Sequence, residues 1–220
     1  FATDSNATDV GDLSFSRFYP SSNSSETSGY SVGGLPLTTT IDKFPFAVDV
    51  SALVVGNLTV AKRSAVGQSD KINGYGYTSG GISDPGPAVY NVVEKFPFAA
   101  DGNSVQVGTL TQARFSSAGQ NSFTFGYTSG GAIPAHQNAI DKFPFATDGA
   151  ATDVGDLTTV RLNCAGQNSR TSGYTSGGYS SVNIIEKFPF ATDANATDVG
   201  DLTQGRFLPA GQSSQENGYT

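Results

Sequence analysis

The sequence lacks several residue types on which whole classes of protein depend. Its 220 residues include no Met, no Trp, one Cys and one His. A single Cys excludes an internal disulfide framework and any cysteine-based zinc cluster. A single His excludes His-rich metal sites and leaves few groups for acid–base chemistry near neutral pH. The absence of Met indicates either a processed N-terminus or a window cut from a longer protein.

Charge and long apolar runs are also scarce. Charged residues make up 14% of the chain, and the formal net charge is −7. Binding to nucleic acid needs clusters of Lys and Arg that neutralise phosphates, so we expect no nucleic-acid partner. The longest apolar runs are about four residues long, as at 52–55. A membrane-spanning helix needs about 20 apolar residues. We therefore expect no membrane insertion.

The dominant feature of the sequence is an internal repeat. Cutting before each Phe-Ala pair gives four complete units and a shorter fifth, at 1–45, 46–97, 98–144, 145–189 and 190–220. The units share Val-Gly-x-Leu, a basic residue four positions later, Gly-Gln-Ser/Asn, Gly-Tyr, a Gly pair and Ile/Val-Asp/Glu-Lys-Phe-Pro-Phe. The repeat runs through the whole sequence, so we treat 1–220 as a single domain.

The units differ mainly in one connection. Between the Gly pair and the following Ile or Val lie 6, 11, 8 and 6 residues in successive units. In repeat proteins, insertions map to loops on one face, which is often the binding face. We therefore predict ligand-binding residues in these variable loops, namely Asp84, Tyr90, His136, Gln137 and Tyr179. For His136, a solvated loop residue is the alternative, because no carboxylate adjoins it in sequence.

Each unit predicts four short β-strands and no helix. Runs of Val, Ile, Thr, Phe and Tyr between Gly and Asp clusters are typical of strands. Strand a covers Ala-Gly-Gln-Ser, strand b Gly-Tyr-Thr-Ser-Gly, strand c Ile-Glu-Lys-Phe-Pro-Phe and strand d the Val-Gly-Asp-Leu region. The Pro of strand c should face a sheet edge or a bulge, because it has no N–H to donate. A period of 45–52 residues with four strands is typical of a β-propeller blade.

These repeats resemble kelch motifs. The fourth repeat has the double glycine Gly177-Gly178, the acid Glu186, the aromatics Phe188 and Phe190, and then Arg206. Two features differ from the kelch pattern: Phe replaces the usual Trp, and the acid precedes Lys-Phe-Pro-Phe instead of standing in a Tyr-Asp pair. The resemblance implies an all-β, kelch-like β-propeller with one four-stranded blade per unit. It implies at least five blades, in a chain that is a fragment or is circularly offset.

The repeated sequence motifs are more specific than the kelch pattern. Lys-Phe-Pro-Phe-Ala-Thr-Asp, Asp-Val-Gly-Asp-Leu-Thr and Gly-Tyr-Thr-Ser-Gly-Gly are similar to repeats in structural proteins of marine bacteriophages. The resemblance implies a virion or extracellular protein, such as a tail fibre. We predict a non-enzymatic adhesion module that recognises a host-surface glycan or protein, or another virion protein. The alternative is a propeller lectin or interaction scaffold unrelated to a virus, and a homo-oligomer is compatible with both.

The sequence predicts no catalytic site, no cofactor and no metal. No nucleophile elbow, phosphate loop or paired-acid site is visible. The turns rich in Asp and Asn leave two interpretations open, since their oxygens could bind Ca²⁺ or could cap their own turns. These side chains are Asp4, Asn6, Asp9, Asp12, Asp148, Asp153, Asp156, Asp193, Asn195, Asp198 and Asp201.

The repeated basic residue also has two interpretations. Five of them around a ring could form a cationic mouth for an anionic glycan. Alternatively, each could form an ion pair with the repeated acid of strand c. We expect the periodic Tyr and Phe residues in the core, because aromatic side chains bury large apolar areas. Cys164 is predicted to be a small buried residue.

Overall fold

The computed structural model describes residues 7–85, 88–214 and 217–220. Within these ranges the protein is all-β, with 18 strands and no helix. It follows that no helix in the described ranges is long and apolar enough to cross a membrane. Asp4 and Asn6 of the first Asp-rich turn lie outside the described residues.

The strands form one antiparallel sheet per repeat, and neighbouring strands follow chain order. Four sheets have four strands each, and the described part of the fifth has two. Sheets 1 and 2 contain β1 (Ser21–Ser24), β2 (Ser28–Val32), β3 (Thr40–Pro45), β4 (Leu53–Asn57), β5 (Val66–Asp70), β6 (Tyr75–Ser79), β7 (Val92–Pro97) and β8 (Val105–Thr109). Sheets 3 to 5 contain β9 (Ala118–Asn121), β10 (Phe125–Ser129), β11 (Ala139–Pro144), β12 (Thr152–Asp156), β13 (Ala165–Asn168), β14 (Ser172–Ser176), β15 (Ile184–Pro189), β16 (Thr197–Asp201), β17 (Gln212–Ser213) and β18 (Gly218–Tyr219).

The four predicted strands per unit are confirmed in sheets 1 to 4. In sheet 3, strand d pairs with strand c from Ala139 only as far as Lys142, with a shift of register between Ile140 and Asp141. Pro144 ends strand c beyond this ladder. Its missing N–H therefore costs no hydrogen bond to strand d, as expected for a Pro at a sheet edge.

The turn between strands a and b is built by one side chain. In sheet 3, Ser122 Oγ accepts hydrogen bonds from the N–H groups of Thr124 and Phe125, at 3.3 and 3.0 Å. Ser25 and Ser169 make the same turn in sheets 1 and 4. Because the strands are antiparallel, the a–b and c–d turns lie at one end of each sheet, which we call the hairpin end. The b–c loops and the d–a connections lie at the opposite end, which we call the loop end.

The a strands of consecutive sheets lie side by side, in the order β1, β5, β9, β13 and β17. Their backbones approach so closely that a Cβ on Gly166 would lie 2.2 Å from the carbonyl oxygen of Gly119. A Cβ on Gly119 would likewise lie 2.6 Å from the carbonyl oxygen of Gly67. Only glycine fits at these points of contact, which explains the Gly of the Gly-Gln-Ser/Asn element.

In sheets 2, 3 and 4 the following Gln joins the sheet to the next one. Gln68 Nε2 donates to the carbonyl oxygen of Tyr127 at 2.9 Å and to Thr128 Oγ1 at 3.1 Å. Gln120 donates in the same way to the carbonyl oxygen of Tyr174 and to Thr175 Oγ1, at 2.9 and 3.0 Å. Both Gln side chains are buried, so these bonds replace the hydration that burial removes. We call this contact the glutamine clasp.

Apolar clusters fill the space between consecutive sheets. The Tyr of strand b stacks on the second Phe of the next unit's Phe-Pro-Phe, with 4.8 Å between ring centroids in Tyr30–Phe98, Tyr77–Phe145 and Tyr127–Phe190. All three Tyr rings are at most 2% exposed. The expectation that the periodic aromatics form the core is thus confirmed for these residues.

Candidate ligand-binding sites

The repeated basic residues are structural in four of the five units. Arg17, Lys62, Arg114 and Arg161 pair with Asp42, Glu94, Asp141 and Glu186, and all eight side chains are at most 1% exposed. Each acid also accepts hydrogen bonds from a Ser or Thr of the preceding connection, as Asp141 does from Thr111 N–H and Oγ1 at 2.8 and 2.7 Å. The interpretation of these residues as a ring of exposed cations is therefore wrong for these four units, because each cation is buried and paired with an acid.

Three Asp side chains of the Asp-rich turns cap their own turns. Asp9, Asp153 and Asp198 each accept a hydrogen bond from the N–H two residues further on, at 3.1 Å. This is the turn-capping arrangement that short acidic side chains favour. Among the residues that the structure describes, no group of three or more His, Cys, Asp or Glu side chains is placed to hold a metal ion.

Asp84 lies in the longest variable loop and forms an ion pair with Arg63 of the adjacent connection. Arg63 Nη2 is 3.3 Å from Asp84 Oδ1, and the Arg63 guanidinium lies 5.8 Å from the centre of the Tyr19 ring. The hydrogen bond from Arg63 lowers the pKa of the Asp84 carboxyl, and the same bond raises the pKa of Arg63. The pair is partly exposed, so both charges remain accessible at the loop end.

Tyr90 and Gln137 anchor the loops through their backbones. The N–H of Tyr90 donates to the Gly81 carbonyl oxygen at 2.9 Å, and the N–H of Gln137 donates to that of Gly131 at 2.8 Å. The Gln137 side chain donates to the carbonyl oxygen of Ala135 at 3.0 Å. Both residues are half-buried, so they shape the loops more than they present groups to a ligand.

His136 and Tyr179 come together although they belong to different units. Their ring centroids are 5.2 Å apart, and the Tyr179 ring also lies 5.9 Å from that of Phe207. Tyr179 and Phe207 are 49% and 50% exposed. We call these three rings the aromatic row. Sequence reasoning missed Phe207, because this position follows the repeated basic residue and lies outside the connection in which the units vary in length.

A second candidate site lies at the hairpin end, where sequence reasoning placed none. A cavity of about 720 Å³ is lined by the turns between strands a and b of all five sheets. Its polar lining includes the amides of Asn121 and Asn168 and the hydroxyls of several Ser residues. Because the a strands lie side by side, the turns that follow them meet at this cavity. We call it the hairpin cavity.

The residue at the tip of each turn differs from unit to unit. The positions are Glu26, Lys71 with Ile72, Phe123 and Arg170, and all of these line the hairpin cavity. Phe123 is 63% exposed and Ile72 is 65% exposed. The sequence contained a signal for this site, since a changing residue stands between repeated Ser or Asp and Thr or Asn positions. Concave sites lined by apolar groups with a few polar groups are typical ligand sites.

Comparison with known proteins adds no family to this description. No protein-family model matches the chain, and the comparison with curated proteins found no match.

Proposed function

We propose that the chain is a non-enzymatic recognition module that binds a glycan in the hairpin cavity. The observation that carries this proposal is the contrast between a repeated, buried scaffold and tip residues that change in every unit. A scaffold of this kind holds loops rigidly while their side chains set specificity.

We propose that the scaffold is a kelch-like β-propeller with at least five blades. The side-by-side order of the a strands supports this arrangement. The residues around Asp12 also support this arrangement. The N–H of Ala52 donates to the Asp12 carbonyl oxygen at 2.7 Å, just as the N–H of Ala151 donates to the carbonyl oxygen of Thr109, which belongs to strand d of sheet 2. The segment before sheet 1 thus holds the place of an outer strand of a preceding blade.

The chemistry of the hairpin cavity suits a sugar. Side-chain amides and hydroxyls both donate and accept hydrogen bonds, as sugar hydroxyls require. Phe123 offers a flat apolar ring against which the C–H face of a sugar can lie. Lys71, Arg170 and Glu26 at the same rim add charges that would distinguish one glycan from another.

The biological setting that we propose is the surface of a virion, where a tail fibre or similar appendage meets its host. The repeated motif Lys-Phe-Pro-Phe-Ala-Thr-Asp supports this setting, because it is similar to repeats in bacteriophage structural proteins. A lectin or interaction scaffold unrelated to a virus would use the same site.

The aromatic row supports a second candidate function, which is docking of a partner protein at the loop end. The exposed rings of His136 and Phe207 both contact the Tyr179 ring, and together they form the kind of apolar patch that marks protein interfaces. Another virion protein is the partner that this proposal implies.

The two sites can be separated with one substitution at each. Phe123→Ala should weaken binding to the glycan selected on an array at least about fivefold, since truncating an aromatic anchor typically costs about 1–2 kcal/mol or more. Tyr179→Ala is the matched control and should leave glycan affinity unchanged in isothermal titration calorimetry. Loss of glycan binding in Tyr179→Ala alone would refute the hairpin cavity as the glycan site. Failure of the intact chain to bind any glycan, with a protein partner lost in Tyr179→Ala, would favour the second candidate.

A further inference from the structure

The junctions between the four-stranded sheets can be compared position by position. At the junction of sheets 2 and 3, the Thr128 hydroxyl has two side-chain partners from the preceding sheet. Ser79 Oγ lies 2.8 Å from Thr128 Oγ1, and Gln68 Nε2 donates to it at 3.1 Å. The junction of sheets 3 and 4 repeats this group with Gln120, Ser129 and Thr175. A buried Thr thus receives the same two contacts at both junctions.

The junction of sheets 1 and 2 differs at both partner positions. The strand register places Asn23 where sheet 2 has Gln68. It likewise places Val32 where sheet 2 has Ser79. The shorter Asn23 amide still donates to the Tyr77 carbonyl oxygen at 2.9 Å, but the Val32 side chain has no polar atom. Two side chains that form the clasp elsewhere are therefore replaced together.

The consequence of these replacements falls on the Thr78 hydroxyl. Thr78 occupies the position of Thr128 and is 0% exposed. Among the residues that the structure describes, none forms a hydrogen bond with Thr78 Oγ1. A buried hydroxyl that loses its hydrogen bonds carries the cost of its desolvation. Sheet 2 is therefore held to sheet 1 by fewer polar contacts than sheet 3 is to sheet 2.

The buried ion pair at the same junction is also reduced. At the junction of sheets 2 and 3, Arg114 pairs with Asp141 and donates to the Ala139 carbonyl oxygen at 3.0 Å. Lys62 stands in place of this Arg, with its Nζ 2.7 Å from Glu94 Oε2. Within the described ranges, no carbonyl oxygen accepts a hydrogen bond from Lys62. The forked guanidinium thus fixes strand c in a way that the ammonium group does not.

We propose that the junction of sheets 1 and 2 is a hinge, at which the two sheets separate reversibly while each stays folded. Its apolar stacking is as close as that of the next junction, with 4.8 Å between ring centroids in both. The polar contacts that fix the orientation of one sheet against the next are the ones that are reduced. The a–b turns of sheets 1 and 2 both line the hairpin cavity, so opening of the hinge changes the width of that cavity.

One backbone amide reports on each junction. The N–H of Ser64 donates to the Tyr19 carbonyl oxygen across the hinge at 3.0 Å. The N–H of Ser116 donates to Ser64, and that of Asn163 to Ser116, at 2.9 and 2.8 Å across the next two junctions. In hydrogen exchange followed by NMR, the protection factor of the Ser64 amide should be about tenfold lower than those of the other two, because hydrogen bonds are missing at its junction. Equal protection of the three amides would overturn the proposal.

Transfer of the hinge to the next junction is the stronger test. Gln68→Asn combined with Ser79→Val copies a pair of side chains that the fold already accepts between sheets 1 and 2. The protection factor of the Ser116 amide should fall about tenfold in this variant, since its junction loses the same bonds. The Asn163 amide is the internal control and should keep its protection. Unchanged protection of Ser116 would show that these side chains do not set the hinge.

The reverse exchange should close the hinge. Asn23→Gln combined with Val32→Ser returns both partners to Thr78 and should raise the protection of the Ser64 amide about tenfold. In the unaltered protein, the amides of the central strand β3 should exchange as slowly as those of β11, because a hinge leaves the sheet intact. Loss of protection throughout β3 together with Ser64 would show that sheet 1 unfolds as a whole, and would overturn the proposal.

Discussion

At the scale of single residues, the most consequential side chains are the buried ion pairs. Each ties the connection that leaves one sheet to strand c of the next sheet. Arg114 and Asp141, 2.6 Å apart, illustrate this. Burial of two charges carries a large desolvation cost, which only a complete set of hydrogen bonds offsets. Removal of one partner therefore leaves the other charge buried without a counter-ion.

This reasoning predicts that Asp141→Ala lowers the free energy of unfolding by about 3–5 kcal/mol. The loss arises because Arg114, which is 1% exposed, keeps its charge without a counter-ion. Urea unfolding followed by circular dichroism measures the effect. Asp193→Ala is the matched control, since the Asp193 side chain is 55% exposed, and it should cost about 0–1 kcal/mol. Equal effects of the two substitutions would contradict the structural role of the buried pair.

At the scale of the strand, the close packing of neighbouring a strands depends on glycine. The missing side chain lets each a strand lie against the next, as Gly166 does against Gly119. No rearrangement of a flexible side chain can relieve a Cβ here, because the opposing atom is a backbone carbonyl oxygen.

Gly166→Ala should accordingly destabilise the protein by about 1–3 kcal/mol or more, through overpacking against the Gly119 carbonyl. Gly102→Ala is the control, because the nearest atom to its Cβ would be Pro97 Cγ at 3.8 Å. That substitution should change stability by less than about 1 kcal/mol. Thermal unfolding of both variants decides the matter, and a neutral Gly166→Ala would show that the a strands can separate.

The strands themselves could be predicted from sequence, because the landmarks that define them are local. Gly-Tyr, the Gly pair and Lys-Phe-Pro-Phe recur in every complete unit, and the structure places a strand or a turn at each. The hairpin cavity could not be found in this way. Phe123 and Arg170 are 47 residues apart in the chain, and they meet only because the a strands pack side by side.

The loop end shows the same limit. Asp84, Tyr90, His136, Gln137 and Tyr179 are all in the predicted loops, yet only His136 and Tyr179 are in ring contact. Phe207 completes the aromatic row from a position that is periodic in sequence. Its neighbours in space come from a different unit, so period alone could not select it.

At the scale of the whole molecule, ionisable groups that are buried in successive sheets make the stability of the protein fall at alkaline pH. Burial raises the pKa of Tyr127 and that of Cys164, each to about 12, and it also raises the pKa values of Tyr30 and Tyr77. In each case the folded protein holds the proton more tightly than the unfolded chain does. Stability from these groups is complete below their unfolded pKa values and is lost as pH rises through the folded ones.

We predict that the free energy of unfolding falls steadily above pH about 8.5, where an unfolded Cys begins to ionise, and more steeply above about 10, where Tyr follows. Urea unfolding between pH 7 and 11 measures the decline. Cys164→Ala should remove the first part of it and leave the second. An unfolding free energy that stays constant up to pH 11 would show that these groups are not protected by folding.

The glutamine clasp has a consequence for how such a chain could change over generations. The junctions that follow sheets 2, 3 and 4 are each closed by a Gln that bonds to a Thr and to a backbone carbonyl group of the next sheet, whereas Asn23 makes the carbonyl contact after sheet 1. A gene that gained or lost one unit would therefore recreate an existing joint instead of requiring a new one. Copy number can vary without redesign of the interior, while the tip residues of each added unit are free to diverge.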